Sequence, residues 1–355
     1  MSEITSCKTK NVLKIILFAA ILVLLLFVFS SMMDPVKWVH DKTYQNRDAR
    51  YILVTEQPEN TIDILNIGDS LSITVFCPME LWRDYGYTSF NIGADGLRIA
   101  ENYYSVINAC QKQNPQILLI ESLSLFRYGR GDDSIMLLSQ PIYYRVPFLK
   151  YHNIWKSLVE RPNVMIYHRG YTVNENVWPY EGPDNYLDYP LEDKNQNMTI
   201  SQFNRTWFRR LKSFCDKQGI QIVIYSTVSP MNYNWERIHY LEQFSAEEGV
   251  DYIDLNEYVD EIGIDWEQDT NDAGDHMNYF GAVKVTEFLG KYLQSNYQLT
   301  DHSDDPAYND WNKELVEFDQ LVKDMDGLSF QDIFNQREKE IWDKKYRKQK
   351  KTTKQ

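Results

Sequence analysis

Cysteine is scarce in this chain, with four residues among 355, at positions 7, 77, 110 and 215. The last three are far apart, which excludes a disulfide framework and a paired-thiolate metal site and predicts buried free thiols. Histidine is almost as rare, at six residues, so any imidazole chemistry rests on a short roster of candidates. Positive charge is also in short supply outside the terminus. Lys344, Lys345, Arg347, Lys348, Lys350, Lys351 and Lys354 form an acid-free basic tail, so residues 1–343 carry −21 where the whole chain carries −14. An acidic body of that kind argues against nucleic acid as a partner. The tail reads as a solvated end, or as a contact for anionic envelope polymer or lipid. There is no internal repeat and no heptad run, which excludes solenoids and coiled coils.

Long apolar runs are absent except for one. Ile15 to Met33 is a charge-free stretch of 19 residues, long enough as a helix to cross a hydrocarbon layer about 30 Å thick. Lys8, Lys10 and Lys14 precede it while Asp34 and Pro35 follow, so the expected topology is a single-pass anchor with residues 1–14 in the cytoplasm and the remainder outside a bacterial-type cell membrane. The rival is a cleaved signal peptide, against which stand the length of the run and the absence of a small-x-small site. Cys7 lies before the run, where it cannot serve as a lipoprotein attachment site.

Residues 34–60 are polar and mixed and read as a stalk. Beyond them the hydrophobic pattern alternates. "TIDILNIG", "TSFNIG", "PQILLIES", "IQIVIYST" and "VDYIDL" have the short apolar, β-branched character of buried strands, and helices are expected near Leu71–Trp82, Arg98–Gln113, Ile200–Gly219, Trp235–Glu248 and Gly281–Gln294. This alternation predicts an α/β domain over residues 61–299, a doubly wound, mostly parallel sheet of about five strands with helices on both faces. Residues 123–198, aromatic and rich in Pro and Asn, read as an insertion, and residues 300–355 as a charged, partly helical extension. In such sheets ligands bind at the carboxyl ends of the strands, where Gly68-Asp69-Ser70, Gly93, Glu121-Ser122 and Ser226-Thr227 all fall.

Gly68-Asp69-Ser70 has two readings. A serine between a buried strand and a helix is suited to nucleophilic attack, with helix N-terminal amides nearby to favour developing negative charge. Alternatively Asp69 or Ser70 simply caps the helix. A serine nucleophile needs a base to take its proton, and the base needs a carboxylate to fix its tautomer. "NDAGDHMNYFGA" offers both in one loop: His276 with Asp272, or alternatively with the adjacent Asp275. Trp235 and His239, after the fourth strand, could line the cleft, although a core tryptophan and a surface histidine are the simpler reading. His152 and Trp155 of "YHNIW" have the same two readings.

Taken together, strand-Gly-Asp-Ser, Asn91-Ile92-Gly93 at the second strand end, and an Asp-to-His block followed by Asn278 and Gly281-Ala282 resemble the SGNH/GDSL hydrolase superfamily over roughly residues 61–296. The resemblance implies a flavodoxin-like sheet, Ser70 as nucleophile, His276 as general base and then acid, and the backbone N–H groups of Ser70 and Gly93 as oxyanion donors. It implies no metal and no organic cofactor. Two features depart from the family. Its usual Asp-x-x-His spacing would put the acid at Ala273, so Asp272, brought in by a one-residue loop extension, is preferred to Asp275, whose side chain should diverge from the adjacent His276; and its Gly-x-Asn-Asp block is replaced by "IESLSLF", leaving Asn91, Glu121 and Ser122 as candidate cleft residues. The anchor and the altered third block are similar to the envelope branch of the superfamily, which includes the teichoic-acid D-alanylation protein D and alginate O-acetylation proteins. That likeness implies an esterase or acyltransferase acting on O-acyl groups of envelope polysaccharide or teichoic acid, with a membrane-bound O-acyltransferase as a candidate partner. Two alternatives stand beside it: a catalytically silent scaffold of the same fold that binds polymer or such a transferase, and a sugar-binding wall protein using Trp178 and Tyr180.

Overall fold

The computed structural model describes residues 2–33, 47–127, 139–144, 146–151, 167–193 and 196–325. The chain divides into two compact units, Met1–Ile52 with Gly131–Met165, and Leu53–Arg130 with Ile166–Gln355. His152, Trp155 and the basic tail lie outside the described residues.

The first unit is dominated by the helix Ser2–Met32, whose span Asn11–Met32 is long and apolar enough to cross a membrane, with no part of it buried within the chain. A short helix from the expected insertion, Pro147–Tyr151, packs on its far end. Phe148 lies 5.9 Å from Phe29, ring centre to ring centre, and its backbone N–H donates to Ser30 Oγ at 3.2 Å. Beside it Lys150 sits 4.1 Å above the Tyr144 ring and 3.4 Å from Asp48.

The second unit holds a five-stranded parallel sheet: β1 Ile64–Ile67, β2 Ser89–Asn91, β3 Ile117–Glu121, β4 Gln221–Ser226 and β5 Asp251–Asp254. The strand order is β2-β1-β3-β4-β5, with β1 registered between its neighbours through Ile64↔Ser89 and Ile64↔Ile117. β1 and β3 are buried along their whole length, as the apolar runs predict for strands covered on both faces. The order reverses between β1 and β3, the point at which sheets of this kind place their ligands. Ser70 stands at that point.

Helices cover the sheet. Gln202–Gln218 buries Trp207, Phe208, Leu211 and Cys215 and ends at Gly219, whose φ of 74° is the left-handed cap expected of a glycine there. Trp235–Glu248 runs between the boundaries predicted for it. The helix expected over Leu71–Trp82 is instead two, Ser70–Val75 and Pro78–Tyr85. Pro78 has no N–H to continue the first helix and holds Cys77 extended at φ −103°, ψ 102°, so the chain bends and restarts.

Of the expected stalk, residues 47–60 are structured. They include the helix Ala49–Leu53 and a turn, Val54–Glu56, in which Val54 is fully buried. A polar average over residues 34–60 hid this apolar patch. The described part of the C-terminal extension, residues 300–325, is likewise packed. Its helix Asn309–Met325 buries Trp311 and Phe318 in a cluster with Cys77, Trp82, Tyr171 and Tyr279. Arg169 ties that helix down through Asp310 at 2.8 Å and Glu314 at 2.7 Å. Among the described residues Cys77, Cys110 and Cys215 are free thiols. Cys77 and Cys215 are buried, and burial pushes Cys110 up to about 11 and Cys215 up to about 12.

Candidate active site

The local sequence after β1 decides which residue caps and which is free to react. Asp69 is the N-cap of helix Ser70–Val75: its Oδ1 accepts from Leu71 N–H at 3.0 Å, and its Oδ2 is paired with the Arg127 guanidinium. Ser70 is therefore relieved of capping. Gly68 fits only as glycine. Its φ of +153° disfavours a side chain, and a Cβ there would stand 2.6 Å from Ser72 Cβ and 2.7 Å from Glu121 Cβ.

Ser70 Oγ lies 2.8 Å from His276 Nε2, and His276 Nδ1 lies 2.6 Å from Asp272 Oδ2. The Asp272 carboxylate accepts, so Nδ1 carries the proton and Nε2 is left with a lone pair facing the serine hydroxyl. The loop explains how an Asp four residues upstream reaches the imidazole. Asn271 N–H donates to His276 O at 3.0 Å, closing the loop, while Ala273 at φ 62° and Gly274 at φ 93° turn the chain back through two left-handed residues. Asp272 then serves both ends of His276, with Oδ1 accepting the backbone N–H at 2.7 Å and Oδ2 the ring. A Cβ at Gly274 would meet the Tyr180 ring at 2.8 Å, so this turn also depends on glycine.

Asp275 is turned away. Its Oδ1 accepts from Asn232 Nδ2 at 2.6 Å, and its Oδ2 stays 3.6 Å from His276 Nδ1. Burial pulls the His276 pKa down, but the hydrogen bond it donates to Asp272 and the charges of Asp275, Asp272 and Asp69 outweigh it and leave the imidazole raised above its ordinary value. Asp272, Asp275 and His276 also bring three potential metal-ligating atoms within 4.8 Å of one another. Among them Nδ1 is already committed to Asp272.

The remaining predicted residues separate into two groups. Gly93 lies against the nucleophile turn, where a Cβ would fall 2.0 Å from Ser72 Oγ, and its N–H donates to Asn91 Oδ1 at 3.2 Å. Asn91 is fully buried, and its Nδ2 donates to Ser72 O and Phe76 O at 2.9 and 3.2 Å, so it ties the loops together and does not line the cleft. Glu121 and Ser122 are fully buried as well. Glu121 accepts from Leu123 N–H at 3.0 Å and from Tyr233 Oη, and burial together with the Asp69 charge pushes its carboxyl well above the usual range. Ser122 Oγ bonds Ser226 Oγ and Tyr233 Oη at 2.9 and 2.8 Å. These groups form a buried polar floor beneath Ser70. Trp235 and His239 stack on each other with ring centres 5.6 Å apart, and Trp235 Nε1 donates to Asp188. Trp235 lines a separate cleft of about 680 Å3 with Tyr186 and Trp266. Sequence reasoning missed Arg127, Asn232 and Tyr233. Each lies in irregular sequence, and only the fold brings it to Asp69, Asp275 or Glu121.

No family model and no curated protein matches the chain. Among solved structures it is similar to a family 3 carbohydrate esterase of Clostridium thermocellum (16% identity, TM-score 0.34, covering 66% of this chain and 96% of that one). It is also similar to a GDSL-like lipase of Bacteroides thetaiotaomicron VPI-5482 (7% identity, TM-score 0.32, covering 74% and 98%). Overlaps this loose carry no weight for the reaction.

Proposed function

We propose that this chain is a serine ester hydrolase of the SGNH type, anchored by its N-terminal helix and acting outside the membrane. The observation that carries the reading is the continuous hydrogen-bonded line from Ser70 Oγ through His276 to Asp272. Ser70 Oγ attacks the ester carbonyl while His276 Nε2 takes its proton, and the imidazolium is held by Asp272. The proton then passes to the leaving alcohol, and an acyl-serine remains. Water attacks this ester, His276 again removing the proton, and collapse returns free Ser70 with a carboxylic acid. If a polymer hydroxyl takes the place of water the same steps transfer the acyl group. We assign O-acyl groups of envelope polysaccharide or teichoic acid as the substrates, and a membrane-bound O-acyltransferase as a candidate partner, on the strength of the anchor and the family resemblance. The N–H groups of Ser70 and Gly93 are the oxyanion donors in this reading, Gly93 leaving its 3.2 Å bond to Asn91 as charge develops.

One observation favours a second reading, that of a silent scaffold. The Gly93 N–H is engaged, and the end of β3 contributes buried Glu121 where the family has an asparagine donor. The two readings part on reaction of the full chain with a fluorophosphonate in detergent micelles. The hydrolase predicts a covalent adduct on the peptide carrying Ser70 that requires His276; a folded chain that takes up no label favours the scaffold.

A further inference from the structure

Strand β5 is the edge of the sheet: among the described residues it pairs with β4 alone. Along its other side runs a groove of about 670 Å3, walled by helix Trp235–Glu248 and helix Tyr279–Asn296. An open strand edge presents unpaired backbone N–H and C=O groups and is a template for a further extended segment. The groove is also strongly acidic. Glu242, Asp251, Asp254, Glu257 and Glu261 line it, and the one lysine lining it among the described residues, Lys291, is tied to Glu287 at 2.7 Å.

Asp254 marks the groove as built to receive a donor. The residue is 6% exposed; its Oδ1 takes the N–H and Nδ2 of Asn256 at 3.2 and 2.7 Å, while its Oδ2, itself closed off from solvent, has no hydrogen-bond partner among the described residues. A buried carboxylate oxygen without a donor is costly. Burial, with the charges of Glu257 and Glu242, pushes this carboxyl up to about 7 in spite of the two hydrogen bonds from Asn256. The aromatic wall of Tyr258 and Phe288, with ring centres 5.0 Å apart, adds faces that attract cations. The occupant this chemistry selects is an extended, basic peptide. The same chain carries one: seven basic residues without an acid between Lys344 and Lys354. Eighteen residues separate Met325 from Lys344. Extended, they span up to about 60 Å, ample for a domain whose radius of gyration is about 18 Å.

We propose that the groove beside β5 is the docking site of this chain's own basic C-terminal segment, laid along the open strand edge with its lysines on the groove carboxylates. The contact is independent of the esterase reading. It is tested on the full chain in detergent micelles by carbodiimide cross-linking with peptide mapping, and by hydrogen exchange of residues 250–255. The expected result is that links from Lys344–Lys354 concentrate on Glu242, Glu257 and Glu261, and are lost in 1 M salt and in a chain carrying Glu257→Gln and Glu261→Gln. Exchange at β5 amides should be slower in the native chain than in one whose tail lysines are changed to glutamine. Links scattered over the acidic surface, links only between differently labelled copies, or β5 exchange unchanged by the tail substitutions would each overturn the proposal.

Discussion

Replacing Asp272 by asparagine tests the site at its most unusual point, the four-residue spacing to His276. In the native loop the carboxylate takes the ring proton at 2.6 Å and the backbone proton at 2.7 Å. Asparagine keeps the size and one acceptor, but it removes the charge that stabilises the imidazolium and can present an N–H to Nδ1, driving the proton to Nε2. Nε2 would then donate to Ser70 and could no longer accept from it. The equivalent loss in a serine protease triad lowers kcat about 10⁴-fold, or about 5.4 kcal/mol of barrier. Here Asp272 is 37% exposed at its side chain, so water screens part of its charge and a loss of about 10³-fold is the working expectation. Asp275→Asn should cost far less, under about tenfold, because Asp275 acts on the imidazole only through its charge at 3.6 Å. The assay is steady-state hydrolysis of p-nitrophenyl acetate across pH. The reacting form of His276 is neutral, so the rate rises as pH passes its pKa. Removing either acid takes away a raising influence and moves that limb to lower pH. An Asp275→Asn variant as damaged as Asp272→Asn, or an Asp272→Asn variant with near-native turnover, would refute this assignment.

Further outcomes follow from other contacts. Gly93→Ala should lower kcat and stability together, since its Cβ would overlap Ser72 Oγ, and Ser72→Ala should relieve part of the loss. Trp311→Ala should lower stability by about 3–5 kcal/mol, read as a drop in melting temperature, because the ring is 1% exposed in the cluster that holds the C-terminal helix. Asp254, with its pKa raised in the folded state to about 7, binds a proton there that the unfolded chain has released above about pH 4. Stability contributed by the neutral form is therefore lost as pH rises from about 4 to 7. In a chain whose tail lysines are changed to glutamine, Asp254→Asn should flatten that decline and stabilise the protein at pH 8 by on the order of 2 kcal/mol, with little change at pH 4, measured by thermal melts at both values.

Much of the sheet was legible because its strands are short apolar runs separated by helical periods; the strand order was not, since parallel pairing and right-handed connections allow more than one. The break at Pro78 was missed, because the periodicity of the flanking residues suggested one continuous helix across a proline that ends it. In the site, Ser70 and His276 could be named from the sequence, and Asp272 was preferred to Asp275 because adjacent side chains diverge, but the geometry that seats it could not be read. It depends on Ala273 and Gly274 both adopting left-handed backbone, and on Asn232 drawing Asp275 aside, neither of which spacing reveals. Glu121 and Ser122 looked like cleft residues because they end a strand. Their burial comes from Tyr233, more than a hundred residues away, closing over them. Arg127 gave no signal at all, since its role is fixed by a partner 58 positions earlier.

The most direct test of the central claim is ester turnover by the full-length chain in detergent micelles, with p-nitrophenyl acetate as substrate and Ser70→Ala and His276→Ala measured beside it. The account predicts turnover in the native chain that is abolished in both variants while their folding, read by circular dichroism, is unchanged. Turnover that survives in Ser70→Ala, or a folded native chain no faster than the two variants, would contradict it.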